Sequence, residues 1–187
     1  LKNQNLQLLQ WQAMAKRMEA ENASLKRLLH AVPAKKANYI TAHLVSDFGG
    51  PYARSALING GSEHGVKIDQ AVITENGLIG RVIETGTTSA RVLLLSDINS
   101  RVPVMAESSG ERCMLTGTGD ELPVVSYLTS GSKVAGGDRI VTSGDGGIFP
   151  AGIPVGVAVR TAGGRLAVQP FADVTRVEYV SAVEYSF

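Results

Sequence analysis

Gly137-Asp138-Arg139-Ile140-Val141-Thr142, a glycine-rich turn, and then Gly152-Ile153-Pro154-Val155-Gly156-Val157 make up the stretch whose reading decides the fold. A Gly/Asp turn enters a short β-branched run, and the second apolar run carries a glycine inside it. Short Val/Ile runs bounded by Gly, Asp and Ser read as strands joined by turns. A glycine within a strand marks a bulge or sharp bend, which closure of a small barrel requires. The same order occurs earlier in the chain. Gly61-Ser62 leads through Gly65 and Asp69 to Ala71-Val72-Ile73-Thr74 and then Gly77-Leu78-Ile79-Gly80-Arg81-Val82, as Gly131-Ser132 leads through Gly137 and Asp138 to the stretch above. Turn grammar common to β proteins is one source of such a match, but the matching order favours a duplicated unit.

Outward from this pair, the period-two pattern predicts strands at 39–45, 55–58, 71–74, 78–84, 90–95 and 101–105. A second set falls at 113–117, 124–128, 139–142, 155–160, 166–169 and 174–183. A dozen short strands with no helical pattern between them imply small barrels or a sandwich. The 21 glycines, about 11% of 187 residues, agree with many turns of positive φ. The fold expected is mainly β: an N-terminal coiled-coil helix followed by two small six-stranded β-barrel-like domains. The limits are 1–32 for the helix, 33–38 for a hinge, 39–105 for the first barrel and 106–187 for the second. The repeat also admits interleaved barrels, with the C-terminal strands returning to the first.

Residues 1–32 contain no glycine or proline before Pro33, which disfavours helix at Val32. With Leu1 at a, positions a and d collect Leu1, Leu8, Ala15, Asn22, Leu29, Gln4, Trp11, Met18, Leu25 and Val32. This is a heptad seam, in which a buried Asn22 would fix register against its twin. Glu21 at g can meet Lys26 at e of a parallel partner. The expected dimerisation residues are Leu1, Leu8, Trp11, Ala15, Met18, Asn22, Leu25 and Leu29. Gln4 weakens the seam and Leu6 and Leu9 lie outside it. The rival is an amphipathic helix packed on its own β module, and about four heptads are marginal alone.

The net charge of +1 is unevenly placed: residues 1–38 hold seven Lys/Arg against two Glu, and the remainder eleven against fifteen acids. A basic helix can sit near anionic headgroups, although a solvated face is the simpler reading. Cys113 is the only cysteine, so no intrachain disulfide forms, and its apolar neighbours Met114 and Leu115 point to a buried inert thiol. No run of eighteen apolar residues is present. The chain starts at Leu1 inside a helical pattern, so a preceding anchor or signal is expected.

Catalytic chemistry finds little support. His30, His43 and His64 lack metal-ligand spacing, so no metal or other cofactor is expected. A serine triad would need Ser143 with His43 or His64 and Asp47 or Asp97, residue types too common to carry weight. Gly60-Gly61 and Gly163-Gly164 lack the following Lys-Ser/Thr and helix of a phosphate loop. No basic stripe with stacking aromatics favours nucleic acid. Ten Phe, Trp and Tyr leave little material for an aromatic cage.

Thr142-Ser143-Gly144-Asp145-Gly146-Gly147-Ile148-Phe149-Pro150-Ala151-Gly152-Ile153-Pro154-Val155-Gly156 resembles the signature loop of the bacterial rod-shape-determining MreC family. Leu57-Ile58-Asn59-Gly60-Gly61, Asn76-Gly77-Leu78-Ile79-Gly80-Arg81-Val82, Ala90-Arg91-Val92-Leu93-Leu94-Leu95-Ser96-Asp97 and the pair Glu21-Asn22 before Leu25 resemble it too. The resemblance covers nearly the whole chain and gives Gly144, Gly146, Gly147, Phe149, Pro150, Gly152, Pro154 and Gly156 a structural role.

The resemblance implies a short cytoplasmic tail, one membrane helix, a periplasmic coiled coil and two β-barrel-like domains. It implies a non-catalytic scaffold of the elongation machinery that organises or activates peptidoglycan synthases and so controls cell shape. This chain would be the periplasmic portion, anchored to the inner membrane of a Gram-negative cell. The partners implied are a class B penicillin-binding transpeptidase with its glycosyltransferase, MreD, MreB, and a second copy in a homodimer or higher self-assembly. Two rivals stand beside it. One is a trypsin-like double-barrel hydrolase using Ser143, and the other a membrane-fusion-type adaptor, disfavoured because only one helix is visible.

Overall fold

The computed structural model describes residues 1–28, 37–48, 54–119 and 122–185. It comprises a helical unit and a β unit. In the helical unit, α1 spans Lys2–Leu28 and every described side chain is exposed, Leu6, Leu8, Leu9, Trp11, Met14 and Met18 among them. Val32, Pro33 and residues 34–36 of the expected hinge lie outside the described residues.

The β unit contains twelve strands. They are β1 Ala37–Phe48, β2 Ser55–Ile58, β3 Ala71–Ile73, β4 Leu78–Thr85, β5 Ala90–Leu94 and β6 Arg101–Ala106, then β7 Arg112–Thr116, β8 Val124–Ser126, β9 Arg139–Thr142, β10 Pro154–Arg160, β11 Leu166–Pro170 and β12 Tyr179–Tyr185. Alternation drives them: along β6 the side chains of Val102, Val104 and Ala106 are buried, while Arg101, Pro103 and Met105 face outward. A strand with one face in the core produces this period of two.

The strands close two six-stranded barrels, β1-β12-β3-β4-β5-β2 and β10-β11-β8-β7-β6-β9. The second is built from the consecutive strands β6 to β11, whereas the first joins β1 to β5 with the distant β12. β12 pairs with β1 and β3 and completes the first barrel, while β6 pairs with β7 and β9 in the second. The boundary between barrels therefore falls before Arg101, not after residue 105, and the C-terminal strand belongs to the first barrel. Ala37 and Asn38 are also not hinge residues: they pair with Tyr185 and Glu184 and open β1. β12 begins at Tyr179 rather than at residue 174. The preceding segment is held as a turn by Asp173, whose carboxylate accepts from Thr175 N and Oγ1 and approaches Arg176.

Reading β12 before β1 makes the barrels equivalent. The cyclic order β12-β1-β2-β5-β4-β3 then matches β6-β7-β8-β11-β10-β9 strand for strand, so the first barrel is a circular permutation of the second. The turns agree in detail. Asp69 N donates to Val82 O and Val82 N to Gln70 O, as Gly137 N donates to Ala158 O and Ala158 N to Asp138 O. Leu95 N donates to Ile79 O, as Phe171 N does to Val155 O.

Ile58, Val72, Val82, Val92 and Ala182 fill the first barrel. Val104, Leu115, Ile140, Phe149, Val155 and Val168 fill the second, and Ala71, Leu78 and Leu95 of the first barrel pack into that same cluster. The barrels thus share apolar surface. Asp97, 2% exposed, sits at the crossing between β5 and β6 and accepts from Arg54 N at 2.6 Å and Asn99 N at 2.7 Å.

Candidate functional site

The loop joining β9 to β10 is closed by Thr142, whose side chain is fully buried. Its hydroxyl donates to Pro150 O and accepts from Ile153 N at 2.9 Å, while Thr142 N donates to Ile153 O and Gly152 N to Thr142 O. Between these clamps the backbone turns through Gly144, Gly146, Gly147 and Gly152, all at positive φ, which β-carbons disfavour. Phe149, 2% exposed, anchors the loop in the core of the second barrel. Pro150 and Pro154 restrict the chain on either side. Gly156 lies where β10 passes β11: a β-carbon there would meet Gln169 O at 2.2 Å. The loop is a rigid, braced turn.

Ser143 is not assembled into a triad. Its hydroxyl donates to Asp145 Oδ2 at 2.8 Å and accepts from Asp145 N, and Asp145 in turn pairs with Arg112 at 2.7 Å. The proposed partners are engaged elsewhere. His43 packs edge-on against Tyr179 with centroids 5.3 Å apart, and His64 Nδ1 accepts from Gly61 N. Asp97 serves Arg54 and Asn99, and the Asp47 side chain lies outside the described residues, as does His30. Cys113 is buried, and burial followed by the nearby Glu111 charge pushes its thiol up to about 11, so the nucleophilic thiolate is suppressed near neutrality. Among the described residues no group of His, Cys, Asp and Glu is placed to hold a metal ion. Among them, too, no helix is long and apolar enough to cross a membrane.

Of the helix seam, Leu1, Leu8, Trp11, Ala15, Met18 and Asn22 lie exposed on α1. The side chain of Leu25 and all of Leu29 lie outside the described residues.

Sequence reasoning did not single out two features. One is the Thr142 hydroxyl, although a Thr-Ser-Gly end to a strand is a signal for side-chain closure of a turn. The second is an open cleft of about 900 Å³ beside β3 and β12, lined in part by Phe171 and Tyr179. Its residues are scattered from 73 to 181, so no local motif marks it.

The family model described as "Rod shape-determining protein MreC, barrel core" matches residues 44–184. The cell shape-determining protein MreC of Caulobacter vibrioides is 41% identical over 96% of this chain and 52% of its own length. That of Cereibacter sphaeroides is 37% identical over 96% of this chain and 60% of its own. This chain thus spans about half of the first relative and three fifths of the second. Among solved structures, MreC of Listeria monocytogenes superposes with a TM-score of 0.76 at 31% identity, covering 100% of this chain and 95% of that one. MreC of Pseudomonas aeruginosa gives 0.71 at 32% identity, covering 79% and 99%. With the loop at 142–156 inside the matched barrel core and the duplicated barrels around it, the chain belongs to the rod shape-determining MreC family.

Proposed function

We propose that this chain is the periplasmic, non-catalytic scaffold part of a cell-elongation protein, pairing through α1 and presenting its β unit to peptidoglycan synthases. The observation that carries the reading is the family match over residues 44–184, joined to a Ser143 hydroxyl whose partner is Asp145 rather than a histidine. A more distant neighbour supports the choice of partner: MreC of Helicobacter pylori, 19% identical with a TM-score of 0.61, is solved in complex with penicillin-binding protein PBP2. A class B transpeptidase is accordingly the first partner proposed for this chain. MreD and MreB are proposed on the membrane and cytoplasmic sides, with anchoring to the inner membrane.

A scaffold raises enzyme turnover only by binding the active conformation more tightly than the inactive one. Adding this chain to a purified class B transpeptidase is expected to raise its turnover on lipid-linked substrate. Unchanged turnover at saturating chain overturns the reading.

Self-association rests on the exposed apolar row of α1. Leu8, Trp11 and Met18 are exposed on α1, and a second helix would remove them from water. Sedimentation is expected to show reversible dimers whose population rises with concentration, and Met18→Glu should abolish them. A wild-type chain that stays monomeric throughout, or a variant that dimerises as well as wild type, removes pairing from the proposal.

A further inference from the structure

We propose that the cleft beside β3 and β12 binds a β-linked chain of N-acetylated amino sugars. The cleft holds about 900 Å³ and is walled by β3 with its turn, by β12 and by the 171–178 connection. That volume lies within the range usual for ligand sites.

Two of the chain's ten aromatic rings, Tyr179 and Phe171, line it, 63% and 37% exposed. Each is steadied by a residue outside the lining. His43 meets Tyr179 at 89° between ring planes, and the Arg139 guanidinium stands 5.6 Å from the Phe171 centroid. Rings fixed in advance lose little freedom when a ligand stacks on them.

The polar lining divides into committed and available groups. Thr74 accepts from Asn76 N and Gly77 N, and Asp173 is engaged by Thr175 and Arg176. The hydrogen bonds from Thr175, side chain first and backbone second, hold the Asp173 carboxyl below its usual range, so it stays ionised with that turn. Among the described residues, the side chains of Glu75, Asn76, Glu178 and Ser181 make no hydrogen bond or ion pair, and all four line the cleft.

This combination selects a sugar. A pyranose ring sets weakly positive C–H bonds against the negative face of an aromatic ring. Its hydroxyls and acetamido groups around the rim meet carboxylate, amide and hydroxyl groups. A purely apolar ligand would desolvate the carboxylates without replacing their hydrogen bonds. The choice of N-acetylated amino sugars among glycans rests on the proposed role in cell-wall synthesis.

The test is calorimetric titration of the 187-residue chain with chitohexaose, cellohexaose and hexalysine. Saturable chitohexaose binding, stronger than that of cellohexaose, is expected. Tyr179→Ala and Glu178→Gln should each weaken it about tenfold, while Tyr179→Phe keeps it. Tyr127→Ala, which removes an exposed ring outside the cleft, should leave it unchanged. Circular dichroism melts keep loss of fold apart from loss of binding. No saturable chitohexaose binding, equal binding by Tyr179→Ala, or saturable hexalysine binding without chitohexaose binding overturns the inference. Transpeptidase stimulation is read separately: if it persists while chitohexaose fails to bind, the glycan site falls and the scaffold reading stands. If chitohexaose binds and turnover does not rise, the site stands and the scaffold reading falls.

Discussion

Gly156→Ala is expected to lower stability by about 3 kcal/mol or more, and the melting temperature of a chain this size by about 6–12 °C. Gly156 faces Pro170 across the β10–β11 ladder, beside the register shift between Pro154 and Gly156 in the pairing with β9. A β-carbon there would stand 2.2 Å from Gln169 O and 2.7 Å from Val168 Cγ1. Val168 can turn its side chain, but the Gln169 carbonyl belongs to the ladder that closes the barrel. Relief would require β11 to move away from β10, and β11 is joined to β8 by the single Cα pair Ala167–Val124. The weakest seam would therefore receive the displacement. The duplicated barrel supplies an internal control. Gly80 holds the equivalent place, facing Leu94, and its added β-carbon would meet Leu93 O at 1.9 Å. Gly80→Ala should cost as much or more, whereas Gly163→Ala, in a turn with nothing near the added carbon, should change the melting temperature little. Thermal melts of the three variants decide it. An unaltered melting temperature for Gly156→Ala would show that the strands separate freely.

These two glycines also explain how much of the fold is legible. Both stand inside apolar runs where only a close approach or a bend justifies losing a side chain, so the sequence displays the barrel grammar directly. Strands 55–58 and 139–142 are found at the ends read for them: Gly137-Asp138 and Ser143-Gly144 bound the second on both sides, and Asn59-Gly60 stops the first. Reading 174–183 as one strand failed because the apolar residues Val174 and Val177 mask a side-chain turn at Asp173. Assigning 101–105 to the first barrel failed for another reason. Strand membership is a long-range property, set by Val104 pairing with Cys113 and Thr142, and no local pattern contains it.

The candidate site divides in the same way. The loop is legible as a loop because four of its glycines require positive φ. The Ser143 alternative is legible only as residue types. Its distance from catalysis depends on where His43 and His64 are spent, one on Tyr179 and the other on Gly61. The seam of α1 is legible as a heptad pattern, and the exposure of Leu8, Trp11 and Met18 supplies a physical reason for a partner without naming it. The cleft is the least legible feature, since Glu75 and Glu178 are 103 positions apart and line one cleft only because β12 returns to the first barrel beside β3.

The second large effect is expected at Thr142. Thr142→Val keeps the shape of the side chain and removes one hydroxyl, yet it should cost about 2–4 kcal/mol. The hydroxyl serves two backbone groups at once, accepting from Ile153 N and donating to Pro150 O, in a side chain with no exposure. Valine would leave that N–H and that carbonyl without their partner, and each unsatisfied buried group costs about 1–3 kcal/mol. The backbone bonds between Thr142 and Ile153 and from Gly152 to Thr142 would remain, so the loop should loosen rather than detach. Thr142→Ser keeps the hydroxyl and loses only a methyl, and about 1 kcal/mol is expected for it. The pair separates hydrogen bonding from packing. Urea unfolding of both variants, with hydrogen exchange at Gly152 and Ile153, gives the answer. A valine variant as stable as the serine variant, with exchange unchanged, would mean that Phe149 and the prolines hold the loop without Thr142.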